Sequence, residues 1–248
     1  MGVLFNRRYQ LNYFDFDKNY KLKPTTMMNF LQDISTIHFE TMTKELSTDV
    51  LPGLWVIVEW KITFDEMPKL AGDVIVKTEP TYFRKFIAYR RYEIVDENGK
   101  QIGSGISKWA YIDPEHRKQV NIPKVLNEVF GVDEHTNKPE KLTFQSLEQT
   151  SMEKTQRVAV YTDIDVNKHV NNVTYIRWAL DALGSDFLDQ FQLIDLKVAF
   201  KKEVFEKQSV FIETIKKETA TGAVSQHHIL NEENQSCVQV EFVWTKVD

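Results

Sequence analysis

The chain has a single cysteine, Cys237, in 248 residues. That excludes an intrachain disulfide and fits a reducing, cytosolic setting. No run approaches 18 consecutive apolar residues, so no membrane-spanning helix is expected. The opening MGVLFNRRYQ is too short and too polar for a signal peptide, and Asn6 stands where a myristoylation signal needs Ser or Thr. An excess of basic residues is also missing: the net charge of −5 argues against a general nucleic-acid binder. No G-x-x-x-x-G-K-S/T, H-E-x-x-H or G-x-S-x-G occurs, which removes the usual signs of a P-loop, a zincin and an α/β-hydrolase.

What is present is a globular composition, 42% hydrophobic and 27% charged, rich in strand-favouring aromatics. Much of it occurs twice. Asp15, Asp17 and Asn19 match Asp163, Asp165 and Asn167 at a spacing of 148 (163 − 15). A helical pattern follows each copy. Pro24 suits the first helical position ahead of Met27, Leu31, Ile34 and His38, and Asn171 or Asn172 can cap a helix carrying Val173, Ile176, Leu180 and Leu183. Alternating strands come next, with Val58, Trp60, Ile62 and Phe64 in the first half and Ile194, Leu196, Val198 and Phe200 in the second. Trp109 and Trp244 mark two late hairpins, and Asn98-Gly99 is a strong turn signal in the first. Each half therefore reads as polar loop, one long helix buried against a curved antiparallel sheet, and a closing hairpin. Two related α+β domains are expected, 1–135 and 136–248, with residues 114–151 as a linker containing the short helical stretch IPKVLNEVF.

The D-x-D-x-N segments suggest a calcium loop, but Lys168 and Thr174 stand where Gly and Glu are needed. Turn and cap formation explains the first copy fully. It leaves His169 and the doubled Asn171-Asn172 unexplained. A carboxylate, a carboxamide and an imidazole at a helix start, where free N–H groups favour a developing oxyanion, make a candidate site for attack of water on an acyl carbonyl. Both readings stay open on spacing alone. The remaining signals take bland explanations. Gly103 and Gly105 mark close backbone packing; Ser151–Lys154 is an isolated S-x-x-K; His38 is a core histidine; His227 and His228 fall on opposite strand faces; Cys237 is a small buried residue. Strand alternation alone makes Glu203 a surface salt-bridge partner.

DIDVNKHVNNVTYIRWAL resembles the signature of the acyl-acyl carrier protein thioesterases, the plant FatA/FatB type and their bacterial relatives. VAFKKEVF resembles that family's second signature, and LWVIVEWKITFDEMPKLAGDVIVKTEP and GSGISKWAYIDPEHRK are similar to its N-terminal half. The resemblance implies a tandem double hotdog and hydrolysis of acyl-acyl carrier protein (ACP), which releases free fatty acid and ends elongation. It also implies catalytic roles for Asp165, Asn167, His169 and Glu203, overturning the surface reading of Glu203. Plant members carry a cysteine directly after that glutamate. Here Val204 occupies the position, which favours carboxylate chemistry, with Glu203 as general base or nucleophile.

Further expectations follow from combining residues and resemblance. The amides of Val170, Asn171 and Asn172 stabilise the oxyanion; no metal or cofactor is needed. Lys21 and Met67 stand where His169 and Glu203 stand, so the first domain is catalytically degenerate and houses the acyl chain, with Met27, Met28, Phe30 and Leu31 as pocket candidates. The acidic carrier needs a basic patch, drawn from Arg84, Lys85, Arg90, Arg91, Lys197, Lys201 and Lys202. Alternatives are an acyl-CoA thioesterase and a non-catalytic acyl-binding module; a hotdog dehydratase fits the polar set less well. A bacterial cytoplasmic protein, monomer or homodimer, is expected.

Overall fold

The computed structural model describes residues 2–47, 49–68, 72–133, 139–147 and 152–247. It divides into two compact units, Met1–Lys141 and Leu142–Asp248. The expected boundary at 135/136 lies outside the described residues, as does Ser151.

The first unit runs β1 (Phe5–Gln10), α1 (Pro24–Thr43), β2 (Leu54–Phe64), β3 (Asp73–Arg84), β4 (Ile87–Asp96), β5 (Gln101–Ile112) and α2 (Val125–Phe130). Its antiparallel sheet has the order β1-β3-β4-β5-β2. Pro24 opens α1, where a missing N–H costs nothing, and the helix continues for 20 residues. Met27, Leu31, Ile34 and His38 are all fully buried along one stripe. Each of the three apolar side chains contributes about 1.5–3 kcal/mol of burial. Helix α2 belongs to this core: Leu126 and Phe130 pack with Phe83, Ala88 and Val132. The stretch expected to be linker therefore contributes a wall of the first unit, because its two large apolar residues outweigh its polar surroundings.

The second unit runs β6 (Glu153–Val158), α3 (Asn172–Asp181), α4 (Ser185–Gln190), β7 (Phe191–Phe200), β8 (Ser209–Glu218), β9 (Gly222–Asn231) and β10 (Ser236–Lys246). Its sheet order is β7-β10-β9-β8-β6. Here the expected long helix is only 10 residues. It stops before Gly184, whose φ of 79° breaks the helical path and starts α4. The polar segment before β6 is fastened to the sheet, since Glu241 accepts the Gln145 amide at 2.7 Å and Gln226 donates to the Gln145 carbonyl at 2.6 Å.

Both strands expected to alternate cleanly carry a bulge. In β2 the register slips between Ile57 and Glu59, so Ile57 rather than Val58 is buried. In β7 the pairing skips Ile194, and Leu193 is buried in its place. A bulge inserts one residue and flips the face of everything before it. The two extra residues lie 136 apart (194 − 58), the spacing that separates Phe64 from Phe200.

Candidate active site

The polar loop of the second unit begins with a short 3-10 turn, Tyr161–Asp163. Asp163 is buried, accepts the Val160 amide at 3.0 Å and pairs with Arg177 on α3. From there the chain makes a tight excursion. Asp165 N–H donates to the His169 carbonyl at 3.0 Å, the Asp165 carbonyl accepts from Lys168, and Lys168 takes a left-handed φ of 67°. The Asp165 carboxylate accepts the Asn167 amide at 2.8 Å. The excursion fixes where the His169 side chain stands before any substrate arrives.

Glu203 reaches the same place by a different route. Strand β7 ends at Phe200, so Glu203 lies on the following loop and strand alternation does not apply to it. Lys201 and Lys202 both donate their amides to the Cys237 carbonyl, at 2.8 and 3.1 Å. Val204 N–H donates to the Tyr175 hydroxyl at 3.1 Å, and the Val204 carbonyl accepts Val170 N–H at 2.8 Å. These bonds staple the Glu203 loop to the His169 loop. His169 Nε2 stands 3.6 Å from Glu203 Oε1, while its Nδ1 lies 3.2 Å from the Val170 carbonyl and 4.0 Å from Asp165 Oδ1.

The structure thus brings Asp165, His169 and Glu203 together. Asn167 sits beside them at an exposed position, its backbone bonded to Asp165. Two of the three expected oxyanion donors are withdrawn: Val170 N–H is used by Val204, and Asn171 N–H donates to the Asp163 carbonyl at 2.9 Å. Asn171 is the helix cap, its side chain accepting from Val173 N–H. Asn172, at the first helical position, is the one of the three whose amide has no partner among the described residues, at the positive end of α3.

Tyr175 and Arg177 position this site and were not singled out from the sequence; Val204 was noted there only as the residue after Glu203, and its backbone role was not foreseen. Tyr175 does follow Asn171 at helical spacing (175 − 171 = 4), a signal that places it near the loop. Cys237 is closer to the site than its sequence position implied, its carbonyl holding the two residues before Glu203. Its side chain is buried, and burial pushes the thiol pKa up, which makes it a poor nucleophile.

The pocket candidates fare differently. A cavity of about 270 Å³ in the first unit is lined by Ser35, Phe39, Trp55, Phe83, Arg90 and Phe130 among others. Met27, Met28, Phe30 and Leu31 do not line it: Met27, Met28 and Leu31 are core, and Phe30 stacks on Tyr9. The cavity lies further along α1, at Ser35, Thr36 and Phe39. Among the basic candidates, Arg84, Lys85, Lys201 and Lys202 are exposed. Arg91 is exposed but paired with Glu79. Arg90 is buried, and Lys197 is committed to the buried Glu241 at 2.7 Å, so neither offers a surface charge.

Two helix-on-sheet units of this kind make the chain a double hotdog protein. It belongs to the acyl-ACP thioesterase family: the family's N-terminal domain matches residues 2–130 and its C-terminal domain residues 145–246. The chloroplastic acyl-carrier-protein hydrolase FATB2 of Cuphea viscosissima is 24% identical over 221 residues, covering 82% of this chain and 52% of the relative. The chloroplastic oleoyl-acyl carrier protein thioesterase 1 of Arabidopsis thaliana is 24% identical over 82% of this chain and 61% of its own length. The chain thus spans about half the length of the curated relatives it matches. A Lactobacillus plantarum structure superposes with a TM-score of 0.88 at 23% identity, covering 100% of this chain and 98% of that one. The 12:0-ACP thioesterase of Umbellularia californica superposes with a TM-score of 0.83 at 15% identity, covering 98% and 94%.

Proposed function

We propose that this chain is a thioester hydrolase that cleaves acyl-ACP into free fatty acid and carrier protein, ending elongation. The observation that carries the reading is the stapled pair of loops, which holds the His169 imidazole 3.6 Å from the Glu203 carboxylate, three residues ahead of the start of α3 (172 − 169). Contacts of this length in an unliganded site tighten around substrate.

In the proposed reaction Glu203 takes a proton from water as the water oxygen attacks the thioester carbonyl. The Asn172 amide receives the oxyanion. Collapse breaks the carbon–sulfur bond. The proton passes from Glu203 to His169 Nε2 and on to the departing thiolate, leaving acid and thiol. Asp165 holds the loop and faces His169 Nδ1, and the exposed Asn167 carboxamide orients water or substrate. The chemistry draws on no metal or cofactor, because a thioester carbonyl is already electrophilic. The first unit is the catalytically degenerate half, with its cavity as the housing for the fatty chain. Exposed Arg84, Lys85, Lys201 and Lys202 are the candidates for meeting the acidic carrier. The lone buried thiol fits a cytoplasmic setting.

The test is release of fatty acid from acyl-ACP by the native protein and by Glu203→Gln. Native turnover with a loss of about 10²–10⁴-fold in a folded variant is expected. Turnover of acyl-CoA but not acyl-ACP would reassign the substrate. Absence of native turnover on either thioester would leave an acyl-binding module.

A further inference from the structure

The polar loop of the first unit, Asn12 to Lys23, shows aromatic rings that neither the core nor the hydrolytic chemistry uses. Tyr13, Phe14 and Tyr20 are 83%, 71% and 68% exposed. At the spacing of 148 that relates the two loops, the matching residues are Tyr161, Thr162 and Lys168 (161 − 13, 162 − 14, 168 − 20). The first loop thus exposes two further aromatic rings where its sister carries a hydroxyl and an ammonium. Lys18, also exposed, stands where the sister loop has the apolar Val166.

The backbone beneath these rings is fixed. Asp15 N–H donates to the Asn12 carbonyl at 2.9 Å, Asp17 N–H to the Lys21 carbonyl at 2.9 Å, and Tyr20 N–H to the Asp17 carbonyl at 3.1 Å. An isolated bridge joins Phe16 to Leu22. A loop already ordered in this way loses less conformational entropy on docking than a loose one. Its charge is unevenly placed. Asp15 is buried and accepts the Asn12 amide at 2.7 Å, and Asp17 accepts the amides of Asn19 and Lys21 at 2.8 and 2.9 Å. The Lys23 ammonium donates to the Phe14 carbonyl at 2.7 Å, which sets positive charge beside the rings. Lys18, Lys21 and Lys23 against Asp15 and Asp17 leave the loop net positive (3 − 2 = +1).

Three aromatic side chains at about 150–250 Å² each supply about 450–750 Å². That falls short of the roughly 800 Å² per partner of a standard protein interface. A lipid surface asks for less area and suits this chemistry, since aromatic rings settle at headgroup depth while lysines meet anionic headgroups. We propose that this loop docks the protein peripherally on an anionic bilayer surface, with Phe14 and Tyr20 entering the headgroup region beside Lys18 and Lys23. The inference rests on no part of the hydrolase reading, because none of these residues belongs to the site of His169 and Glu203.

Sedimentation with vesicles compares the native protein with the double variant Phe14→Thr/Tyr20→Lys. The vesicles are phosphatidylcholine alone, or phosphatidylcholine and phosphatidylglycerol in equal parts. The double variant copies the sister loop, where Lys168 takes a φ of 67° against 58° for Tyr20, so the fold should hold and melting should be unchanged. Native protein is expected to bind the anionic vesicles about tenfold more strongly than the neutral ones, with the preference shrinking as salt rises. The variant carries one more positive charge, yet it should bind the anionic vesicles about tenfold more weakly, having lost its rings. Lys18→Glu, at an exposed position, should also weaken anionic binding, by about threefold or more. No native binding, undiminished binding by the double variant, or no loss in Lys18→Glu overturns the proposal. So does a loss of self-association or of acyl-ACP hydrolysis by the double variant in lipid-free buffer, which would give the loop to a second copy or to the carrier.

Discussion

The loop from Asp15 to Lys23 and the loop from Asp163 to Asn171 share a backbone and differ in chemistry. Both open with a 3-10 turn, Tyr13–Asp15 and Tyr161–Asp163, and both close with an isolated bridge, Phe16 to Leu22 and Ile164 to Val170. Both turn through a left-handed residue, Tyr20 and Lys168. Both use the second aspartate to hold the amide two residues on, Asn19 and Asn167, at 2.8 Å. The loops after β2 and β7 also match, with Asp65 and Glu66 donating to the Ile102 carbonyl as Lys201 and Lys202 donate to that of Cys237. On this common frame the first unit has Lys21 for His169, Met67 for Glu203, Pro24 for Asn172, Pro68 for Val204 and Met27 for Tyr175. The two prolines remove the N–H that would meet an oxyanion and the N–H that Tyr175 holds. The carboxylate-to-backbone bonds found in both loops are structural; what differs between the units is a coordinated set of donors and ionisable groups.

The sharpest way to break that contrast is to write first-unit residues into the second. His169→Lys keeps the loop's polarity and removes the imidazole. A fall in kcat of about 10²–10⁴-fold with unchanged melting is expected, and a rate within tenfold of native would remove His169 from proton transfer. Asn172→Pro tests the amide. Proline is tolerated at the first helical position, as Pro24 demonstrates in the sister unit, so the fold should persist. Loss of one oxyanion donor should lower kcat by about 10²–10³-fold. Asn172→Ala, which retains the amide, should stay near native; equal losses in the two variants would point to the side chain.

The repeat, the two helices, the hairpins and the loop carrying His169 were legible because each has a short-range signature. Period and turn chemistry mark them, and Asn98-Gly99 does form its hairpin turn, with Gly99 at φ 83°. The bulges at Val58 and Ile194 were invisible, because an inserted residue in a strand shows only in what it pairs with. The break after α3 was missed for a related reason: Leu183 continues the helical spacing, and only the positive φ of Gly184 ends it. At the site, the resemblance supplied a role for Glu203, which is exposed, as strand alternation expected, and has His169 as its ion-pair neighbour. Neither alternation nor spacing could reveal that the loop after β7 is held by the Val170–Val204 bond, which joins segments 34 residues apart (204 − 170). Which amides were free was equally hidden, since Val170 and Asn171 look as available in sequence as Asn172. The cavity was misplaced because α1's stripe specifies burial, and burial alone does not distinguish core from pocket wall.

The units also invite comparison through their buried histidines. His38 in the first and His227 in the second are both fully buried, and burial pushes each pKa down to about 3. His227 has partners on both nitrogens, Thr214 at 2.9 Å and Ser225 at 3.2 Å, whereas His38 Nε2 has none among the described residues. The unfolded chain binds a proton at each site near the ordinary value of about 6.5. Between that value and about 3 the unfolded state therefore holds more protons, and stability is lost as pH falls through this window. The slope is up to about 1.4 kcal/mol per pH unit for each histidine. Denaturant titrations at pH 7 and pH 5 should show this loss, with His38→Gln and His227→Gln each flattening it. A flat native profile would mean that neither imidazole is held neutral.

The smallest expected effect comes from running the exchange backwards. Restoring Lys21→His and Pro24→Asn in the first loop returns an imidazole and a helix-start amide to a backbone already shaped to hold them. With Met67 and Pro68 in place of Glu203 and Val204, no carboxylate takes a proton from water there and no Tyr175-type bond fixes the neighbouring loop. Hydrolysis measured in a Glu203→Gln background should therefore stay at the background rate, and stability should fall by no more than about 1 kcal/mol, the cost of releasing a proline from a compatible position. A rate recovered in that background would mean that imidazole and amide suffice, and that the carboxylate separating the two halves is dispensable. Recovery only after Met67→Glu is added would assign the difference between the units to that carboxylate.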